Sequence, residues 1–541
     1  MSDPFDYSIN FNDTQKQTCE DIKKFMDSDD HNFLLLGPAG SGKTTVIVNA
    51  LNVEGLRISF CAFTNKAAQV LKGISKRMPI KFHADFSTIH KLLRLTPIPG
   101  DELKYKFSRI KLEPLKNYDI IIFDECSTIN CELYSYIVQM GDYIDRRFKK
   151  RIKFIFLGDY WQLPPVSEEI SIIFQLAVKE NWFISKLSKV MRSRNELMKN
   201  VNDSLLGWVD KFKNKKNNKE SFDYFHLEFP FNIIKDRSVY LRSNDQLIDE
   251  YITTWKEKKD NNLIILTYSK ANKIKINSTI QNIINMGNTE RDDDIAAERA
   301  ERGRAKRAGA KRAGANQTVD INEITKFYKG EKCCVDRPIE ITLIDETNDI
   351  YEYHASENPE EKKKKRKDDS TFSSKLKMFE SEKMVYLYPG EVFDIVSTKT
   401  VKIKNILNKY DNVPYYVGQK LYITKFDSDE VYEILYVNKR TLDNACERIR
   451  QVTNISDFGD IMEAYNRQYP VLDYGYCMTI YKAQGSEWAN VYINLSSIIW
   501  SLIGNVHDED TEINFKKIKM LFKTSYTALT RSTNNLKLLF F

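Results

Sequence analysis

The run FLLLGPAGSGKTT at residues 33–45 constrains this chain more than any other stretch. Four apolar residues meet a glycine-rich turn, and the turn opens into the helix-forming run TVIVNAL. Gly37, Pro38, Ala39, Gly40, Ser41, Gly42, Lys43 and Thr44 fit the spacing GxxxxGK[ST], with Thr45 following. Glycines let successive backbone N–H groups converge on one point, and the helix that follows turns its positive end to the same point. Such a cradle holds the phosphates of a nucleoside triphosphate. Lys43 is placed to reach the β- and γ-phosphates, and the Thr44 hydroxyl to ligate Mg²⁺. A buried strand must feed this turn, which commits the chain to a covered parallel sheet.

Further runs of the same kind, RISFCAF, DIIIFDE and KFIFLGD, alternate with helix-length segments up to about residue 195. A second set begins with NLIILTYSK at 262–270 and resumes with NVYINLS at 490–496. Two doubly wound parallel sheets are expected, in a chain whose 541 residues exceed what one core can organise. Between the later strands, residues 286–318 repeat KRAGA and residues 354–385 are charged and Ser-rich, so both are expected to be flexible insertions. From about 386 to 470, YPGEVFDIVS, KTVKIKNIL, PYYVGQKLYITKFD and DEVYEILYV read as the short strands of a small β-barrel.

Charge and cysteine content exclude more than they select. Net charge is +7, but residues 299–312 and 362–367 each contribute +6, so the rest of the chain nets −5. The basic excess therefore gives no ground for assigning a nucleic-acid partner to the folded body. Eight cysteines without CxxC or Cys/His ligand spacing point to reduced thiols and no structural zinc. The polar N-terminus is not expected to act as a signal peptide, and VYINLSSIIWSLIG is too short and polar to span a bilayer. The expected location is intracellular, in a host cytoplasm or viral replication compartment, with KKKKRK allowing nuclear import.

Downstream of the phosphate loop, the chemistry accumulates in order. In IIIFDECS an apolar strand ends in Asp124, suited to hold Mg²⁺ through water, and Glu125, suited to polarise an attacking water. FLGDYWQLPPV ends a third strand, and Gln162 follows where it can touch a γ-phosphate, on a connection stiffened by Pro164 and Pro165. KLSKVMRS supplies Arg192 and TSYTALTRS supplies Arg531, candidates to reach the γ-phosphate from outside the first sheet and stabilise transition-state charge.

Together these segments resemble superfamily 1 helicases, specifically the 5′→3′ branch of Dda, RecD and Pif1. The likeness runs from FNDTQKQ at 11–17 to ALTRS at 528–532. It implies an adenine-reading role for Gln15 and single-strand contacts by Thr64 and Asn65 in CAFTNKAA. It implies further contacts by Thr88 and His90 in STIHKLL, by Thr267 and Ser269 in ILTYSKANK, and by Thr479, Lys482 and Gln484 in MTIYKAQGSEW. Pro164 joins this set, as do Tyr105 and Phe107 of LKYKF, which could equally be a half-buried hairpin or a strand-separating wedge. Tyr481 departs from the family pattern, where a histidine precedes LysxGlnGly.

By this resemblance, the fold is two RecA-like motor domains with two β insertions. Residues 1–86 and 119–195 would form domain 1A, and 87–118 a hairpin domain 1B. Residues 196–285, 319–353 and 471–541 would form domain 2A, and 386–470 an SH3-like domain 2B. The implied activity is ATP- and Mg²⁺-dependent 5′→3′ translocation on single-stranded DNA with duplex unwinding. Partners would be single-strand/duplex junctions and single-strand-binding or replisome proteins, with the helicase itself a monomer off the membrane. An RNA helicase, a translocase that remodels protein–DNA complexes without unwinding, and a scaffold with a degraded site are the competing readings.

Overall fold

The computed structural model describes residues 11–62, 80–97, 105–107, 109–166, 168–191, 240–256, 262–286, 327–335, 339–342, 384–387, 392–405, 413–425, 431–452, 472–503 and 511–540, with Asn200 and Ser204. Arg192, Thr64, Asn65, the basic tracts 299–312 and 362–367, and nearly all of both expected insertions lie outside the described residues.

Helix α1 (Asp13–Asp27) leads into β1 (Asn32–Leu36), the phosphate loop and α2 (Lys43–Ala50). Strands β2 (Arg57–Ala62) and β3 (His83–Thr88) follow, then α3 (Ile89–Leu92) and a short hairpin of β4 (Thr96–Pro97) and β5 (Tyr105–Lys106). Next come β6 (Ile120–Phe123), α4 (Cys131–Phe148), β7 (Lys153–Gly158), α5 (Ile172–Lys179) and β8 (Phe183–Lys186). These strands form one parallel sheet in the order β3-β2-β6-β7-β1-β8. Period-two alternation sends Phe33, Leu35, Ile120 and Ile122 to one core and Leu34, Ile121 and Phe123 to the other, so both faces are covered. Strand β7 lies between the phosphate-loop strand and the acid-bearing strand β6. All three parallel carboxyl ends therefore meet at one edge, where α/β sheets bind ligands.

The second sheet opens with β9 (Tyr240–Leu241), α6 (Asn244–Lys256), β10 (Leu263–Thr267) and α7 (Lys270–Met286). The chain then leaves for a separate unit, Ile284–Gly475. There β11 (Lys332–Val335), β14 (Val392–Lys404), β15 (Tyr415–Lys425), β16 (Val431–Tyr436) and β17 (Leu472–Tyr474) build an antiparallel sheet in the order β16-β15-β14-β11-β17. Separately, β12 (Ile339–Thr342) pairs antiparallel with β13 (Met384–Leu387), and α8 (Lys439–Val452) packs through Leu442, Ala445 and Ile449 on Ile403 and Tyr416.

Three features of this unit differ from the sequence reading. YPGEVFDIVS and KTVKIKNIL contribute to one 13-residue strand, irregular only between Ile395 and Ser397, because no turn residue interrupts SerThrLysThr. Helix α8 occupies what reads as barrel. Strands β11 and β17, placed by sequence with the second motor domain, hydrogen-bond into the antiparallel sheet instead.

The chain returns with β18 (Cys477–Thr479), α9 (Ile480–Ala483), β19 (Trp488–Asn494), α10 (Leu495–Ile503), α11 (Thr511–Leu529) and β20 (Ser532–Leu539). These complete a parallel sheet, β18-β10-β19-β20-β9, within the same unit as the first sheet. Among the described residues, no helix is long and apolar enough to cross a membrane.

Candidate active site

The phosphate loop is held open by its own backbone. Gly40 and Gly42 have φ of 76° and 85°, a region L side chains rarely adopt, and Gly42 caps α2. Gly37 donates its N–H to the Gly158 carbonyl at 3.1 Å, which ties the loop to the end of β7. Lys43 Nζ donates to the carbonyls of Gly37 (2.8 Å) and Pro38 (3.2 Å). Ser41 Oγ is buried without a hydrogen-bond partner.

Gln15, expected to read adenine, is engaged elsewhere. Its Nε2 donates to the Ser41 carbonyl and its Oε1 accepts from the Asn12 N–H, each at 3.1 Å, so it struts α1 against the phosphate loop. One amide hydrogen remains for a base.

At the end of β6, Asp124 Oδ1 accepts from the Glu125 N–H at 2.8 Å. Glu125 has φ 56° and ψ 42°, a left-handed backbone on a non-glycine residue. That conformation costs about 1–2 kcal/mol, the kind of strain that collects at functional sites. Burial, then Asp124, push the Glu125 carboxyl above its ordinary value, and Arg531 and Lys43 oppose them. A carboxyl so shifted is a better proton acceptor for a polarised water. Gly158 has no room for a side chain, because a Cβ there would collide with Cys126 Sγ.

The loop after β7 is packed under the second sheet. Asp159 accepts from Trp161 N–H (3.0 Å) and from the Tyr526 hydroxyl (2.7 Å). Gln162 is 2% exposed and its Oε1 has no partner. Arg531 is equally buried; its Nε donates to the Thr527 carbonyl (3.0 Å), Nη1 to the Ser486 carbonyl (3.3 Å) and Nη2 to Thr530 Oγ1 (3.2 Å). Burial lowers its pKa, and Glu125 is the first of the groups that oppose this; a guanidinium stays charged at neutral pH.

These features fit a triphosphate. Ser41 Oγ and Gln162 Oε1 are buried without partners, the glycine loop is left-handed, and Lys43 and Arg531 both bear on Glu125, while Asp124 and Thr44 supply a carboxylate and a hydroxyl for Mg²⁺. An octahedral Mg²⁺ takes its other ligands from water and phosphate.

The expected strand contacts divide. Thr88 Oγ1 accepts from Lys91 N–H (3.1 Å) and Ser269 Oγ from Asn272 N–H (3.1 Å), so both cap helices. Burial pushes the His90 imidazole down to about 4, leaving it neutral near pH 7. Thr479 precedes α9, and Lys482 lies within it, half-buried. Pro164 is buried. Thr267 is not at a surface: it ends β10 fully buried, its hydroxyl paired with Ser497 Oγ at 3.1 Å. Phe107 is no free wedge, since its ring stacks on Tyr136 with centroids 4.9 Å apart and packs on the core of Leu34, Ile121 and Phe123. Tyr105 sits in the hairpin opposite Pro97.

Gln484 is 4% exposed, and its amide is directed at Ser127 and Leu163 of the first sheet. Burial raises the Tyr481 phenol to about 12, so it stays neutral where the family histidine could titrate.

Sequence reading missed Tyr526, Thr527 and Ser127. Helical period placed Thr527 one turn before Arg531, which was the available signal.

A family model for the AAA domain matches residues 22–168. The uncharacterised protein R530 of Acanthamoeba polyphaga mimivirus is 25% identical over 506 residues, which span 90% of this chain and 94% of that protein. The ATP-dependent DNA helicase dda of Enterobacteria phage T4 is 26% identical over 185 residues, 33% of this chain and 39% of dda. The ATP-dependent DNA helicase PIF1 of Saccharomyces cerevisiae (strain YJM789) is 28% identical over 203 residues, 33% of this chain and 22% of PIF1. The chain thus spans most of its mimiviral relative and less than half of either helicase.

Proposed function

We propose that this Pif1/Dda-like helicase uses ATP hydrolysis to move 5′→3′ along single-stranded DNA and to unwind the duplex ahead, in replication, recombination or repair. One observation carries the reading: the guanidinium of Arg531, just past α11, is 2% exposed, held by second-sheet carbonyls, and lies near enough to Glu125 for each to shift the other's proton affinity. A catalytic cation supplied across two sheets makes hydrolysis depend on their closure, and closure can move one set of strand contacts against another.

In this mechanism the phosphate loop and Lys43 hold the triphosphate. Glu125 orients and deprotonates water, Gln162 contacts the γ-phosphate, and Arg531, joined by Arg192, steadies the developing charge. Thr44 and Asp124 would hold Mg²⁺, which neutralises charge on the phosphate oxygens. Thr64, Asn65, Thr88, His90, Ser269, Thr479 and Lys482 would grip backbone phosphates, so binding tolerates any sequence. We assign β3 through Thr88 and the packed residues of α3 to the first motor domain, past the limit at residue 86 read from sequence, and β11 and β17 to the inserted unit.

The test is unwinding of duplexes carrying 5′ DNA, 3′ DNA or 5′ RNA tails, with Lys43→Ala alongside. Separation of the 5′-DNA-tailed duplex alone, lost in Lys43→Ala, is expected. Unwinding only from the 3′ tail, or by the Lys43→Ala protein, would sink the reading.

A further inference from the structure

Leu163 directly follows Gln162, the glutamine proposed above to contact the γ-phosphate, and it is fully buried. Its N–H donates to Thr527 Oγ1 at 3.0 Å. Its carbonyl accepts from Gln484 Nε2 at 3.3 Å, and the same amide donates to Ser127 Oγ at 3.2 Å. A carbonyl only accepts, so the NH₂ end of Gln484 must face it, which fixes the orientation of that amide. One residue of the sensing loop is therefore held at both its donor and its acceptor by side chains of the second sheet's helices and turns. Neither contact can be exchanged for water in so buried a place, so losing either leaves a polar group orphaned.

We propose that Thr527 and Gln484 clamp Leu163 and thereby hold Gln162 in its hydrolysis-competent position, acting as positioning residues rather than as nucleotide or strand ligands. The inference rests on the motor reading above and adds its coupling element. Gln162 carries no other restraint on its side-chain oxygen, which has no partner. Its place is set through the backbone, which is held at its own N–H by the Asp159 carbonyl (3.2 Å) and at the next residue, Leu163, from the second sheet. Hydrolysis then requires the second sheet to be docked twice over: once for Arg531 and once for the clamp. Gln484 lies in the same YKAQG segment as the proposed strand contacts Thr479 and Lys482, so a strand held there bears on the clamp directly.

The test uses the full chain and steady-state ATPase assays. Stimulation of the wild type by oligo-dT is read first, and its absence would overturn the motor reading itself. Thr527→Val keeps the branched shape and removes the acceptor, Thr527→Ser restores it, and Gln484→Leu removes the other arm from a different element. An orphaned buried group disfavours the held loop, so kcat at saturating ATP and oligo-dT should fall roughly tenfold or more in Thr527→Val and Gln484→Leu. The KM for ATP and the affinity for labelled oligo-dT should stay within about twofold, and Thr527→Ser should recover kcat. Wild-type kcat in Thr527→Val, or Gln484→Leu that binds oligo-dT far more weakly yet turns over normally at saturation, would overturn the clamp.

Discussion

Glu125 concentrates the chemistry of the site in one residue. Its left-handed backbone is held on both sides, by the Asp124 carboxylate on its N–H and by Thr128, whose N–H and hydroxyl both donate to its carbonyl. The strain is thus fixed by local hydrogen bonds. Burial and Asp124 raise its carboxyl, so the folded chain holds that proton more tightly than the unfolded chain does. The stability it contributes is full at low pH and is lost as pH climbs from the ordinary carboxylate range through the raised value. Glu125→Gln cannot ionise and escapes that loss. We expect this variant to melt higher than wild type at neutral pH, with the gap closing as pH falls toward about 4, while ATPase drops by roughly 100-fold or more. Melting curves across pH and a turnover assay check the two halves separately. A variant less stable than wild type at neutral pH would show that Arg531 and Lys43 outweigh burial.

At the scale of elements, α11 presents one face to the loop after β7. Phe522 meets Trp161 edge-on with centroids 5.1 Å apart, and Tyr526 reaches Asp159. Lys523 and Lys519 lie 4.7 Å and 5.6 Å from the same Tyr160 ring. Lys523 is buried, and burial with Lys519 pushes its ammonium down to about 8, with Asp159 opposing. The folded chain therefore releases this proton more readily than the unfolded one, and stability is regained as pH rises from about 8 toward the ordinary lysine value. Lys523→Met should melt higher than wild type at neutral pH and converge with it near pH 10.5. If the ring's attraction for the cation dominates, the order at neutral pH reverses, and the differential scan shows it. The packing of this helix was only half legible. Arg531 and the strand ends stood out because apolar runs finish in chemically distinctive residues. Thr267 and Gln484 did not, since residue type says nothing about which way a side chain turns where a strand or short helix stops. Helix α8 was missed although Leu442, Ala445 and Ile449 follow helical spacing, because the strand-and-turn rhythm on its N-terminal side suggested a continuing barrel.

For the whole molecule, charge and binding have to be reconciled. Two tracts, 299–312 and 362–367, carry +12 between them, and everything else nets −5. A body of that sign holds a polyanion through local groups such as Lys482, hydroxyls and backbone N–H groups, or the tracts supply the attraction. The two arrangements differ in counterion release. Each phosphate neutralised on a single strand adds about 0.7 to the slope of log affinity against log salt, whereas uncharged donors add nothing. We expect deletion of both tracts to lower that slope for oligo-dT by about 2 or more, the loss of roughly three phosphate contacts, while ATPase at saturating strand and low salt persists. Titrations of labelled oligo-dT from low to moderate salt measure it. An unchanged slope would place all the strand's electrostatics on the net-negative body, which would leave the tracts without a part in binding.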